Sequence, residues 1–303
     1  MSDSPTQTSL ELNEPAALRR ARLVVAYDGS GFHGFAAAAG VRTVMGSLAE
    51  AVSRVSRQSE SALGAVGAGR TDAGVHAWGQ VVSLDLPSSL ALDGLVGRLN
   101  KLLGPEISVR SAVWAAPDFN ARFDAQWRHY RYDVWNSPAA VPVYAATTWH
   151  VRQPLQLWAM QLACDPLIGE HDFSSFCRKP KVADGAVVPS MRRRVVSARW
   201  HVVHDDHHVG VELDGASIAV VDDDAAPPDD LAGVGLGLVR FEIRANAFCH
   251  QMVRSIVGLL VDVGLGRRSA GEVRAVLAAT DRGGAGQVAP PHGLTLWDVG
   301  YPT

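Results

Sequence analysis

"GAGRTDAGVHAWGQVVSLDL", residues 67–86, places three glycines, an arginine, an aspartate and a histidine in its first ten positions, then runs into a strand. The second half, "QVVSLDL" (80–86), is rich in β-branched and apolar residues and reads as a strand that wants burial. The first half is a loop in which glycine lets backbone come close to a ligand. A loop seated on the base of a rigid strand is where binding and catalytic groups concentrate. Its central aspartate, Asp72, has two readings. One is an Asx turn that holds the loop. The other is a carboxylate kept ionised by Arg70 two residues away, since a neighbouring arginine lowers an aspartate pKa by roughly 1–3 units. Such a carboxylate serves as nucleophile or base.

Outward from this stretch the chain alternates strands and helices. "RLVVAY" (22–27) is a short apolar strand, and "YDGSGFHG" (27–34) is rich in turn residues. "TVMGSLAEAVSRVS" (43–56) carries Val44, Leu48, Val52 and Val55 at helical spacing, with Thr43 as N-cap. "LALDGLVGRLNKLL" (90–103) predicts a second helix, while "ISVRSAVWAA" (107–116) and "WRHYRYDVWN" (127–136) predict strands. "PLQLWAMQLACDPLIG" (154–169) predicts a helix opened by Pro154. "RRVVSARWHVV" (193–203) and "HHVGVEL" (207–213) predict a hairpin turning at Asp205-Asp206. Then come a strand, "LVRFEIRAN" (238–246), helices over 247–264 and 269–280, and a final strand, "LTLWDV" (294–299). This βαβ-like rhythm with mixed local patterns predicts an α/β (α+β) fold.

The helix predicted over 247–264 has an apolar stripe, Phe248, Met252, Ile256 and Leu260. His250 and Arg254 lie roughly opposite, four apart, with Gly258 next. That second stripe faces solvent, or it holds a cation over a glycine for a buried carboxylate. Both readings stand on the helix alone.

Composition narrows the function classes. The chain has 303 residues, 47% hydrophobic and 19% charged, enough for about two domains. A net charge of −3 removes any global attraction for a polyanion. A local patch remains, in which Arg178, Lys179, Lys181, Arg192, Arg193, Arg194 and Arg199 oppose only Asp184. Cys164, Cys177 and Cys249 show no C-x-x-C spacing, which argues against a disulfide framework or a zinc site and fits a reducing cytoplasm. "HDDHH" (204–208) reads as a solvated turn, because alternation in a strand sends His207 and His208 to opposite faces. No apolar run nears the roughly 18 residues that span a bilayer, and the N-terminus lacks a signal-peptide core. Asp72 occupies the third glycine position of a dinucleotide fingerprint, and no G-K-[ST] or G-x-S-x-G is present.

Five blocks then carry a resemblance. "AGRTDAGVHAWGQVV" (68–82), "FNARFDAQWRHYRYDVWN" (119–136), "DFSSFCR" (172–178), "ANAFCHQMVRSIVG" (245–258) and "GLTLWDVGYP" (293–302) resemble, in order, segments of the tRNA pseudouridine synthase A family. With "AYDGSGFHGF" (26–35) the similarity runs from residue 22 to 301. It implies a cofactor-free, metal-free isomerase that converts uridine to pseudouridine at tRNA positions 38–40 of the anticodon stem-loop. It implies a cytoplasmic homodimer whose two similar α/β halves share a mainly antiparallel sheet, with the active-site cleft between them.

In this chain the expected division is a disordered tail over 1–20, an N-terminal half over 21–125 and a C-terminal half over 126–303 with an acidic surface insert at 222–235. The resemblance makes Asp72 the catalytic aspartate, Tyr130 the tyrosine that stacks on the target base and assists proton removal, and Arg254 the partner of the aspartate. It makes Arg70 a holder of the flipped nucleotide and Leu294 part of the pocket floor. The chain departs from the pattern at Gly34-Phe35-Ala36, where aromatic-Gly-Trp-Gln is usual, and at Met45, where Gln is usual. These changes bear on RNA grip. Two rivals compete: a non-catalytic tRNA-binding or folding protein on the same scaffold, and a nucleosidase. The first has no need of Asp72, Tyr130 and Arg254 together. The second commonly wants a second carboxylate, which the matching motifs lack.

Overall fold

The computed structural model describes residues 17–179, 189–203 and 235–302. The stretches at 204–208 and 207–213, the tail to residue 16 and the insert apart from Gly235 lie outside the described residues.

Among the described residues ten strands form one sheet. β1 (Leu18–Tyr27), β3 (His76–Pro87) and β4 (Ile107–Trp114) make one end, with β1 in the middle and antiparallel to both. The two-residue β2 (Val66–Gly67) pairs with β3. β5 (Trp127–Asn136), β9 (Gly237–Ala245), β8 (Arg192–Val202) and β7 (Gly169–Asp172) make the other end, all antiparallel. β6 (Trp149–Val151) adds to β5 in parallel. The last strand, β10 (Leu294–Gly300), joins the two ends. It runs antiparallel to β5 and parallel to β3, the latter only through Thr295 with His76 and Leu296 with Ala77. The sheet is thus mainly antiparallel in an α+β chain.

Helices pack against the strands. α1 (Val44–Ser56) starts where expected: the Thr43 hydroxyl accepts from Gly46 N at 3.2 Å, a cap worth about 1 kcal/mol. It buries Leu48 and Val52, and α2 (Leu92–Leu103) buries Leu95 and Leu99, in one core with Leu23 and Val25 of β1. α4 (Met252–Gly264) is buried along nearly its whole length, and α5 (Glu272–Ala279) follows it. Among the described residues no helix is long and apolar enough to cross a membrane.

Several expectations are corrected. β1 begins at Leu18, inside the span read as tail, because Leu18–Arg20 continue its ladder with Asp85–Pro87. The helix expected over 154–169 shrinks to α3 (Leu157–Leu162) and a separate 3-10 turn, Asp165–Leu167. The helix expected from residue 247 begins only at Met252. Gln251 sits in the left-handed region at φ 66° and stops the helix from extending back. Cys177 and Cys249 are joined, with Cα atoms 5.7 Å apart, where the sequence argued against disulfides.

Candidate active site

The glycine-rich loop sits where β10 meets β3. Its turn closes through Val75 N to Asp72 O at 3.2 Å, with Gly74 at φ 77°. The Asp72 carboxylate accepts no bond from its own loop among the described residues, so the Asx-turn reading does not hold. Oδ2 accepts from Arg254 Nη1 at 2.9 Å, and Oδ1 lies 3.1 Å from His250 Nε2. Asp72 is 22% exposed, Arg254 13% and His250 48%. The carboxylate is therefore gripped from one side and open on another.

Arg254 is aimed by its second contact, Nε to Ala289 O at 2.7 Å, and Ala289 N returns a bond to Arg254 O at 3.1 Å. This close passage requires Gly258, whose Cβ would strike Gln287 O. The cation-over-glycine reading of the second stripe is the one the fold adopts. Arg70 is not the cation that grips Asp72. It is exposed and forms no ion pair among the described residues.

Two side chains that the sequence did not single out hold the loop in place. Gln80, fully buried, donates Nε2 to Gly69 O at 2.9 Å and accepts from Gly69 N at 3.3 Å. Buried Arg128 donates to four carbonyls: Ala125 at 3.0 Å, Asn246 at 2.8 Å, Ala68 at 2.9 Å and Arg122 at 2.6 Å. It ties the loop to the strand ends of the other half. Phe35, only 2% exposed, lies under Gly67, and its N donates to Thr71 O at 3.1 Å. Met45 is buried too, and its N donates to Phe35 O at 2.9 Å. The two departures from the family pattern therefore sit in the core beneath the loop.

Tyr130 lies on β5 with its hydroxyl facing Gly69, and its ring meets Phe248 edge-on at 5.0 Å. Burial pushes its phenol well above the ordinary tyrosine value, and the nearby Tyr27 and Asp72 push the same way against Arg128. It keeps its proton and can donate a hydrogen bond. Leu294, buried, opens β10 opposite Tyr132 and one residue before the Thr295–His76 pair. Asp72, Arg254, Tyr130 and Leu294 thus gather at the junction, while Arg70 is exposed on the loop and makes no ion pair with Asp72.

The basic patch does not form one surface. Arg192 pairs with Glu170 at 3.1 Å, and Arg199 with Glu242 at 2.5 Å. Along β8 the side chains at 192 and 194 point opposite to that of 193. Lys181 and Asp184 lie outside the described residues. Among the described residues no three His, Cys, Asp or Glu side chains converge as metal ligands do.

The class is that of a pseudouridine synthase. A family model described as tRNA pseudouridine synthase matches residues 163–302. Proteins named tRNA pseudouridine synthase A match nearly the whole chain. That of Brevibacillus brevis is 38% identical, with 94% of this chain and 100% of the relative covered. That of Frankia casuarinae is 38% identical, with 94% and 90% covered. That of Gluconobacter oxydans is 33% identical, with 99% and 97% covered. The chain belongs to the tRNA pseudouridine synthase A family.

Proposed function

We propose that this protein isomerises uridine to pseudouridine in the anticodon stem-loop of tRNA, at positions 38–40, as a cytoplasmic homodimer. The observation that carries the chemistry is the Asp72 carboxylate, clamped by Arg254 and His250 at the end of a glycine loop. In the reaction the C1′–N1 bond breaks, the uracil turns, and C5 bonds to C1′. The C5 proton leaves and N1 gains one, so the product is an isomer. Asp72 attacks C1′ of the sugar as the glycosidic bond breaks, and its bond to C1′ breaks in turn when C5 bonds there, which returns the carboxylate. Arg254 holds it aimed. Tyr130 offers its ring to the uracil and its hydroxyl as a donor.

A base inside a stem must be extruded first, at a few kcal/mol. Stacking returns about 1–3 kcal/mol of that. In this reading Arg70, exposed on the loop, holds the extruded nucleotide, and Leu294 floors the pocket. The reading is tested with a stem-loop carrying tritium at uridine C5. Release of tritium to water in step with loss of uridine supports it. Free uracil appearing instead would make the protein a nucleosidase.

A further inference from the structure

Beside the Asp72 clamp lies a group of cations that no carboxylate of a described residue balances. Arg178 follows Cys177 and His250 follows Cys249, and these two cysteines are joined. Arg178 N also donates to His250 O at 2.9 Å, so the two backbones are pinned side by side. At the next residue, Gln251 accepts from Arg282 Nη2 at 2.5 Å. Arg282 Nη1 is shielded from water and has no hydrogen-bond partner. Burial first, and then the charge of Arg178, push the Arg282 guanidinium below its ordinary range. The adjacent Asp281 spends Oδ1 on Gly283 N at 3.2 Å, and Asp72 is taken by Arg254 and His250. Neither Arg178 nor Arg282 forms an ion pair with a described residue.

Bringing two guanidiniums together and leaving a shielded donor unfilled costs free energy. An anion that accepts several N–H bonds recovers it, and planar guanidinium matches phosphate oxygens in pairs. The place of the group fixes which phosphate. His250 carries both the bond to Arg178 and the contact to Asp72, so the cations border the reacting carboxylate. Resting on the proposed function, we infer that Arg282 and Arg178 bind a phosphodiester of the RNA next to the target uridine. The Cys177–Cys249 link and the Arg178–His250 bond set their spacing. Holding that phosphate on the rim keeps the strand in place while the base leaves the stem.

The test uses the full chain and an anticodon stem-loop. Affinity is measured against potassium chloride for wild type, Arg178→Gln, Arg282→Gln and the double variant, with melting temperatures to confirm folding. Each lost phosphate contact should flatten the slope of log affinity against log salt by about 0.7–0.9. A methylphosphonate at a linkage flanking the target uridine should weaken wild type and leave the double variant little changed. Equal slopes for all four proteins, or equal methylphosphonate losses in wild type and double variant, would overturn the assignment. Were Arg282→Gln unable to fold, the exposed Arg178→Gln alone carries the same slope criterion. Inorganic phosphate at constant ionic strength, competing with wild type but not the double variant while the methylphosphonate has no effect, would mean a free-phosphate site and also overturn it. Pseudouridine formation by wild type on the same RNA is read in parallel. If it forms while the slopes stay equal, only the phosphate site fails; if none forms, the proposed function fails.

Discussion

Replacing Arg254 by alanine removes the stronger half of the clamp on Asp72. Three contacts define the expected size. The Nη1 bond to Asp72 Oδ2 spans 2.9 Å between groups 13% and 22% exposed. The Nε bond to Ala289 O spans 2.7 Å. His250 remains at 3.1 Å from Oδ1 and cushions the loss. Breaking a buried pair costs about 3–5 kcal/mol, and a charge-assisted hydrogen bond contributes about 1.5–3 kcal/mol. With His250 still present and Asp72 partly wet, the cost should fall near 2–3 kcal/mol. At about 2–4 °C per kcal/mol for a chain of this size, melting should drop by ~5–10 °C. A double-mutant cycle with Asp72→Asn isolates the pair. Because the amide no longer needs a cation, the second substitution should recover at least ~1 kcal/mol. The assay is reversible urea unfolding backed by thermal melts. A melting temperature within 1 °C of wild type, or a coupling below ~0.5 kcal/mol, would refute the clamp.

Other outcomes follow from the same contacts. Tyr130→Phe should bind the stem-loop as wild type does and lose turnover, because only the proton-bearing hydroxyl is gone; equal single-turnover rates would reduce Tyr130 to a ring surface. Arg128→Lys cannot reach four carbonyls. Losing two or three bonds at about 1 kcal/mol each should destabilise by ~2–3 kcal/mol, and an unchanged urea midpoint would show the tie is dispensable. Acid should unfold the protein in two stages. Burial holds the His129 and His201 imidazoles below 6.5, so the unfolded chain takes those protons first and stability falls as pH drops through that value. Burial raises the Glu242 carboxyl, but Arg199, Arg131 and His129 outweigh it and keep it below 4.5, so its contribution is present above 4.5 and lost below. Asp28 and Asp172 are held low as well, so Glu242→Gln should shrink the lower stage, and melting temperatures that stay flat from pH 7 to 4 would contradict both signs.

How much the residues announced depends on the kind of force that places them. The strand over 127–136 was legible to the residue because burial alternates along it, and Thr43 because its cap is a local bond. The start of α4 was not legible. Residues 247–251 keep helical spacing of apolar side chains, yet the backbone leaves the helix at Gln251 to bring His250 onto Asp72. Arg70 was the nearest cation to Asp72 in sequence, and the fold chose Arg254 from 182 residues away. Arg128 gave no signal, because its four partners are backbone carbonyls from three separate segments. The Cys177–Cys249 pair was hidden by 72 residues of separation. The arginines at 192–194 looked like one patch because they are adjacent in sequence, but neighbours on a strand point to opposite faces.

If Asp72, held by Arg254 and His250, makes pseudouridine in tRNA, its carboxylate cannot be spared. The most direct measurement incubates wild type and Asp72→Asn with an unmodified anticodon stem-loop and maps pseudouridine by carbodiimide treatment and primer extension. Wild type should give a stop one nucleotide 3′ of a uridine within positions 38–40 and Asp72→Asn none, with the variant folded and still binding the RNA. Pseudouridine formed by Asp72→Asn within tenfold of wild type, or none formed by the wild-type protein, would contradict it.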